Sequence, residues 1–307
     1  ERASVQAWEC GLFSCRRSAP TLRPPPSLRS MAAASAQVAT RAAAAVVGAQ
    51  VADAAAVASH WIYDPAKMDA ALAAMKRGPA FMDPPGNGFY RVPASGQSCY
   101  GDQAFVLLSS LASCGKLDVE DFSARQAQAF GAESEYELPG YTDPDNWPNL
   151  VKGVKLPVPG PWRHGVIKNF LTRYATEGKR YPECGAPDDS LSIDFVCKIV
   201  PLVALYAGSG ELPWAVETAI RTTQDSDAAV KYGMAFSRCL EMLILGHAET
   251  PTAAVQAVTQ VLKAEDPDSP ATPHLEALLG DLASLSLPEL GLRLKPASSA
   301  FPYAGLA

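Results

Sequence analysis

The chain has 307 residues, a net charge of −6 and an isoelectric point near 5.3, with 48% hydrophobic and 19% charged residues. This composition supports a sizeable buried core and excludes disorder over most of the length. The acidic balance argues against nucleic acid or an anionic membrane as the main partner, because neutralising phosphates takes clustered Lys and Arg. No stretch approaches about 18 consecutive apolar residues without a charge, so the sequence predicts no membrane span.

Seven cysteines are scattered along the chain, without a C-x-x-C pair and without a zinc-like spacing to the four histidines. This pattern is typical of free thiols in a reducing compartment. We therefore expect a cytoplasmic protein, unless the first thirty residues direct it to an organelle.

Residues 1–30 differ from the rest of the chain, because they hold five arginines against two glutamates, together with a run of three prolines. Leaders that are rich in Arg and poor in acids are typical of organelle transit peptides. Alternatively, Met31 is the true start and the preceding residues are a non-native extension from a gene model. In both cases we expect residues 1–30 to lie outside the fold and residues 31–307 to form a single domain.

From residue 36 onward the pattern is helical almost throughout. Alanine and valine dominate the first helix, and Pro65 is a favourable first residue for the second. Two stretches rich in Gly and Pro, 78–98 and 133–163, are predicted to be long loops. Convincing two-residue alternation is scarce, so the sequence predicts an all-α domain of nine or ten helices. The predicted helices span 37–58, 65–77, 102–114, 119–132, 163–177, 189–207, 213–223, 226–246, 251–264 and 273–284.

The stretch "GQSCYGDQAFVLLSSL", residues 96–111, places Asp102 at the start of an apolar helix. An aspartate there acts either as an N-cap, which accepts hydrogen bonds from the first turn, or as a metal ligand that faces a cavity. Gly101 favours the second interpretation slightly, because glycine permits a close backbone approach to a ligand. Long loops such as the one before this helix also tend to be functional.

Asp53 lies inside the first predicted helix, where its neighbours are mostly alanine and valine. A buried acid must be paired, protonated or bound to a cation. We therefore expect either a structural hydrogen bond to the N-terminus of another helix or a place in a cation site. His60, which follows at the helix end, is interpreted as a packed, hydrogen-bonded residue.

Further acids precede the later helices, and each is a good helix start when it is taken singly. Several acid-started helices that converge on one point would instead make a cation or sugar-phosphate site. These acids are Asp188, Asp189, Asp194, Asp225 and Asp227. The usual hydrolase, nucleotide and zinc-protease motifs are absent from the sequence, and nothing in it points to a serine or cysteine nucleophile paired with histidine.

Four segments together resemble the ADP-ribosylglycohydrolase family, especially its branch of J-type lens crystallins. They are "VVGAQVADAAAVASHWIYD", "GQSCYGDQAFVLLSSL", "DSLSIDFVCKIVPLVALYAG" and "TTQDSDAAVKYGMAFSRCLEMLILG", which occur in the family's order over roughly residues 40–307. The resemblance implies a compact all-α domain around a pair of magnesium ions. In the family these ions orient ADP-ribose and the water that cleaves the bond at the anomeric carbon.

Few of the family's metal-site residues have a counterpart in this sequence. The family's first metal motif reads Thr-Asp-Asp-Thr, and the corresponding stretch here is Tyr100-Gly101-Asp102-Gln103. The resemblance implies that Asp102 is a metal ligand and catalytic residue, and that Asp53, Gln103, Asp225 and Asp227 support the substrate. The second motif, Gly-Gly-Asp-x-Asp, does not occur. Because "SSAFPYAGLA" resembles the family segment that comes shortly before it, we expect a domain that is truncated at its C-terminus.

Three hypotheses follow. The first is a magnesium-dependent hydrolase of N- or O-glycosidic ADP-ribosyl bonds with a degenerate metal site, acting on an ADP-ribose-like molecule or an ADP-ribosylated acceptor. The second is a non-catalytic relative, either a crystallin-like structural protein or a binder of ADP-ribose-type ligands. The third is a fragment that does not fold stably, because removing helices exposes apolar surface. The sequence leaves the oligomeric state open.

Overall fold

The computed structural model describes residues 28–62, 64–74, 81–187 and 192–285, with side chains from residue 35 onward. The chain divides into a short unit, Glu1–Ala36, and a compact unit, Gln37–Ala307, and the packing reported below belongs to the second unit. Three predictions fall outside the described residues: those on the leader up to residue 27, on Asp188 and Asp189, and on the "SSAFPYAGLA" tail.

The described residues form ten α-helices, and the prediction of an all-α fold is confirmed. Two short strands, β1 (Ala186–Pro187) and β2 (Gln224–Asp225), pair in parallel. The helices are α1 (Leu28–Ala56), α2 (Pro65–Ala73), α3 (Cys99–Cys114), α4 (Val119–Phe130), α5 (Gly165–Leu171), α6 (Val196–Tyr206), α7 (Leu212–Thr223), α8 (Asp227–Leu245), α9 (Pro251–Glu265) and α10 (Ala271–Ser284).

Helix α3 begins three residues earlier than predicted. Ser98 is its N-cap, and the Ser98 hydroxyl accepts a hydrogen bond from the Tyr100 N–H. At the other end, Gly115 adopts the left-handed conformation with φ of 69°, which ends the helix. The interpretation of Asp102 as an N-cap is therefore wrong, because its side chain lies within the first turn and is not the capping group.

The core forms where α3 packs against α4 and α6, and where α8 packs against α6, α7 and α9. Gly233 of α8 allows the close approach of α7, since a Cβ atom there would lie 2.3 Å from the Cδ1 atom of Ile220. The largest fully buried side chains of this core are Phe122, Phe130, Phe170, Phe195, Leu107, Ile167, Leu171, Ile199, Leu202 and Ile220. This arrangement fixes the start of α3 and the start of α6 next to each other.

Two irregular stretches, 81–98 before α3 and 131–164 between α4 and α5, lie where loops were predicted. They touch through a bridge between Tyr90 and Val158, and these two residues belong to a second small hydrophobic cluster with Val57 and Leu138. Helix α6 is shorter than predicted, because a 3-10 turn at Ile193–Phe195 precedes it. The two loops therefore contact each other at Tyr90 and Val158.

Helix α1 differs from the prediction that no segment could span a membrane. Its stretch Ser35–Ser59 is long and apolar enough to do so by length and composition alone. Within the fold, 22% of the most apolar window of this stretch is buried. One face packs on the protein, where the Arg41 Nε donates a hydrogen bond to the Ile244 carbonyl at 2.6 Å. The opposite face leaves Val47 and Val51 exposed, at 62% and 52%. Helix α1 thus has one packed face and one exposed face, which its largely apolar composition does not predict.

Candidate functional site

Asp53 connects α1 to the first turn of α3. Its Oδ2 atom accepts a hydrogen bond from the Ser98 N–H at 2.7 Å, and its Oδ1 atom accepts one from the Ser98 hydroxyl at 2.5 Å. Burial raises the pKa of Asp53, while both bonds from Ser98 act in the opposite direction. The structure thus shows the first of the two interpretations of Asp53, a hydrogen bond to the N-terminus of another helix, and its place in a cation site stays a prediction.

Gly101 is required by the close approach of Asp53. A Cβ atom on residue 101 would lie 2.2 Å from Gln97 Oε1 and 2.3 Å from Asp53 Oδ2, far inside van der Waals contact. Gly101 therefore lets two polar groups of the protein itself reach the backbone of α3. In the described arrangement no larger side chain fits at this position.

Asp102, in the first turn of α3, faces the loop that follows α4. Its Oδ2 atom accepts a hydrogen bond from the Tyr136 hydroxyl at 2.5 Å. Burial raises the pKa of Asp102 to about 6, with smaller contributions in the same direction from Glu135 and Asp53, and the bond from Tyr136 opposes the shift. The carboxyl group is therefore partly protonated just below neutral pH.

This raised pKa predicts that the Asp102→Asn variant is more stable than the wild type at pH 7. The pKa of Asp102 is about 6 in the folded state against an ordinary value of 3.8, so the folded state binds the proton more tightly than the unfolded state. The free energy of unfolding therefore falls as pH rises from about 3.8 to about 6. Removing the charge should raise the free energy of unfolding at pH 7 by about 1–3 kcal/mol, since one pKa unit corresponds to about 1.4 kcal/mol. Urea unfolding at pH 7 and pH 4 checks it: the gain should shrink at pH 4, and a variant that is less stable at pH 7 would contradict it.

Gln103 belongs to a buried polar network and not to an open site. Its Nε2 atom donates to Asp194 Oδ1 at 2.6 Å, and its Oε1 atom accepts from Lys198 Nζ at 3.2 Å. The same Asp194 oxygen accepts from His164 Nδ1 at 2.8 Å. All four side chains are buried. The prediction that Gln103 contacts substrate is untested, but both ends of its amide are engaged within the protein.

His164 and Cys99 were not selected from the sequence. Burial opposes protonation of His164, but Cys99, through charge and a hydrogen bond, and the Asp194 carboxylate together hold the pKa of His164 well above its usual range. In turn His164 lowers the pKa of Asp194 against the effect of burial. No sequence signal could have joined these residues, because the three lie on different elements and follow no known motif spacing.

Asp225 and Asp227 are bound by Arg221 near the end of α7. The Arg221 guanidinium contacts Asp225 Oδ1 at 2.8 Å and Asp227 Oδ1 at 2.5 Å, and the Asp227 side chain is 86% exposed. Neither residue lines the cavity beside Asp53. The structure thus brings Asp53 and Asp102 to the start of α3 and holds the other two predicted acids in an ion-pair cluster around Arg221.

His60 is packed, as predicted, among aromatic rings. Its Nδ1 atom is hydrogen-bonded to the Tyr90 hydroxyl at 2.8 Å, and its ring lies 4.6 Å from that of Trp61 and 5.7 Å from that of Tyr100. Burial lowers the pKa of His60 to about 4, with His164 acting in the same direction. His60 is therefore neutral at physiological pH.

A cavity of about 330 Å³ opens between α1, α3, α6 and α8. Its walls are mainly aliphatic, and Asp53, Gln50 and Tyr100 supply most of its polar side-chain groups. The volume falls at the lower end of the range for small-molecule sites. The lining residues are Val46, Ala49, Gln50, Asp53, Tyr100, Gly101, Ala104, Leu108, Ile193, Val196, Cys197, Val200, Pro201 and Phe236.

The residues at 100–103 do not fit a two-metal centre. Asp102 is the only carboxylate among them and is held by Tyr136, Gly101 has no room for a side chain, and Gln103 is tied into the core. Within the part of the chain that the structure describes, no group of three or more His, Cys, Asp or Glu side chains is arranged to hold a metal ion. Magnesium binding by Asp102 therefore stays a prediction.

The fold and these segments define a family. The family model described as ADP-ribosylglycohydrolase matches residues 34–304, and the chain belongs to this family. Its relatives include crystallin J1B and crystallin J1A of Tripedalia cystophora, each 33% identical to it, over 215 and 217 residues. These matches cover 70% and 71% of this chain but only 61% and 62% of the crystallins, so the chain spans less than two thirds of the length of these curated relatives. The resemblance to the family and its crystallin branch is confirmed.

Proposed function

We propose that this chain is a non-hydrolytic member of the ADP-ribosylglycohydrolase family and serves as a crystallin-like structural protein. The observation that carries the proposal is Gly101, whose Cα is covered by oxygens of Asp53 and Gln97. By the family resemblance, this position holds the first of two metal-motif acids. Here the carboxylate of Asp53 fills the space that such a side chain would need.

The energetic argument supports the same conclusion. A pair of metal ions positions substrate and water and stabilises developing negative charge, which requires several oxygen ligands. Each tenfold loss of rate corresponds to about 1.4 kcal/mol of barrier, so a motif reduced to one carboxylate forgoes several such factors. That remaining carboxylate, on Asp102, already accepts a hydrogen bond from Tyr136.

A second candidate function is binding of an ADP-ribose-type molecule without hydrolysis. The cavity beside Asp53, Tyr100 and Gly101 favours it, because it has the size and the mostly apolar lining of a small-molecule site. Its aliphatic walls suit the base or the ribose better than the diphosphate.

Thermal unfolding of the full chain with ADP-ribose, with and without magnesium, tests both candidates. We expect one cooperative transition that neither addition moves, and no release of ADP-ribose from ADP-ribosylated arginine. A rise in Tm with ADP-ribose alone would favour the binder. A magnesium-dependent rise together with release would establish the hydrolase, and Asp102→Asn should then abolish both effects while Asp227→Asn leaves them intact. Absence of a cooperative transition would contradict both candidates, because each requires a folded domain.

A further inference from the structure

One end of the cavity beside α1 and α3 holds more hydrogen-bond acceptors than donors. The side-chain amide nitrogens there are engaged, since Gln50 Nε2 donates to the Gly101 carbonyl at 3.3 Å and Gln97 Nε2 donates to the Gln50 carbonyl at 3.2 Å. Among the described residues, no donor reaches the buried Gln97 Oε1 atom. A buried acceptor without a donor costs free energy, so this end of the cavity favours a molecule that brings donors.

The Asp53 carboxylate lies beside this unpaired oxygen. Asp53 Oδ2 and Gln97 Oε1 both lie close to the point that a Cβ atom on Gly101 would occupy, at 2.3 Å and 2.2 Å. An ionised carboxylate accepts about four hydrogen bonds, and Asp53 receives two from Ser98 and one from the Gly101 backbone. Because acceptor capacity remains, a ligand that reaches Gly101 meets the carboxylate and the amide oxygen together.

The side chains at this end carry a negative charge. Asp53 has the only carboxylate among the described residues that line the cavity, and none of those residues has a basic side chain. The positive charge that acts on Asp53 comes from His164, and the His164 ring is itself bonded to the Asp194 carboxylate at 2.8 Å. An ammonium group complements such an end, because it carries a positive charge together with three donors.

The rest of the cavity is apolar and has the size of a two-ring molecule. Its other walls are formed mainly by aliphatic and aromatic side chains, among them Val46, Leu108, Val200 and Phe236. A dry apolar cavity of about 150 Å³ binds benzene, and the volume here is about 330 Å³. Two fused rings with a short arm therefore fit, with the rings against the walls and the arm towards Asp53.

We propose that this cavity binds a small apolar amine, with its ammonium group on Asp53 and Gln97 and its ring system between α1, α3, α6 and α8. Such an occupant differs from ADP-ribose, whose diphosphate would lie against a carboxylate of the same charge. The inference does not depend on the proposed structural role, because a structural protein can also hold a ligand.

Calorimetric titration of the full chain with four naphthalene derivatives of nearly equal size tests the proposal. The ligands are naphthylmethylamine, naphthylmethanol, methylnaphthalene and naphthylacetate, each substituted at the same ring position and titrated at neutral pH. We expect the amine to bind most tightly, and at least about tenfold more tightly than the carboxylate, because a buried acid attracts a cation and repels an anion. A carboxylate that binds as tightly as the amine, or a series in which no ligand binds, would overturn the proposal.

Two substitutions of the same kind on α1 locate the bound amine. Ala49 lines the cavity, whereas Ala52 on the same helix is exposed and does not line it. Ala49→Leu should weaken binding of the amine by at least about tenfold, because the larger side chain takes space that the rings need. Ala52→Leu should leave the affinity at the wild-type value. Equal affinities of the two variants would place the amine elsewhere and refute the site.

Asp53→Asn isolates the contribution of the charge. Asparagine keeps the shape of the side chain and one acceptor for Ser98, so the preference for the amine over naphthylacetate should disappear while naphthylmethanol binds nearly as before. Asp227→Asn, which neutralises an acid of the cluster around Arg221, is the control and should retain the preference. If Asp53→Asn does not unfold cooperatively, the ligand series and the Ala49→Leu variant decide. A folded Asp53→Asn variant with the wild-type preference would refute the role of the carboxylate.

Discussion

Replacing Asp194 by alanine is expected to lower the free energy of unfolding by about 3–5 kcal/mol, the range for breaking a buried ion pair by removing one partner. Asp194 is buried and accepts hydrogen bonds from His164 and Gln103, and its own backbone carbonyl accepts from Lys198. Without the carboxylate, the buried His164 and Gln103 side chains would each lose the acceptor of a hydrogen bond. Urea unfolding at pH 7 measures the loss.

The control is Asp225→Ala, which removes an acid of the partly exposed cluster around Arg221. Exposed ion pairs contribute at most about 1 kcal/mol, so this variant should remain close to the wild type. Asp194→Asn keeps the shape of the side chain and should fall between the two. If Asp194→Ala and Asp225→Ala were equally stable, the buried network would not be the structural anchor that its hydrogen bonds indicate.

Gly101→Ala is the second large expected effect, with a loss of about 1–3 kcal/mol. The new methyl group would overlap Gln97 Oε1 and Asp53 Oδ2. The Gln97 side chain can swing away, but Asp53 is short and can move only by lengthening its two bonds to Ser98. Helix propensity alone would make the substitution stabilising, so a loss of stability isolates the steric effect.

Gly48→Ala is the matched control in α1, because a Cβ atom there would meet nothing within 4 Å. It should be neutral or stabilising by about 0.5–1 kcal/mol. In the double variant Gly101→Ala with Asp53→Ala, the clash with the carboxylate disappears. The loss of stability of this double variant should therefore be smaller than the sum of the losses of the two single variants. Strict additivity would show that Asp53 is not what excludes a side chain at residue 101.

Much of the fold was predictable because the signals that begin and end its helices are local. Pro65 and Pro251 stand at the first positions of their helices, and Gly115 and Gly246 end helices in the left-handed conformation. The start of α3 was misplaced because Asp102 is the more conspicuous acid, whereas Ser98 supplies the cap. Capping is decided by the backbone geometry of one residue, which composition does not reveal.

The site was predictable only in part, because its residues meet through tertiary contacts. A mid-helix acid among alanines was enough to indicate that Asp53 has a partner, but not that the partner is Ser98. Gln103 and Asp194 are separated by 91 residues and His164 and Asp194 by 30, so no periodicity relates them. In the sequence, Asp225 and Asp227 resemble Asp102, because all three are acids near the start of a helix. In the structure, Asp225 and Asp227 instead form ion pairs with Arg221.

Pro201 inside α6 has a consequence for the cavity that it lines together with Cys197. Proline has no N–H, so the carbonyl of Cys197, four residues earlier, loses the helical donor that it would otherwise have. The helix beside the cavity therefore has one backbone hydrogen bond fewer than an uninterrupted helix. The carboxylate of Asp53 lines the same cavity, so we expect a guest that carries a hydrogen-bond donor to be favoured over a hydrocarbon of equal size.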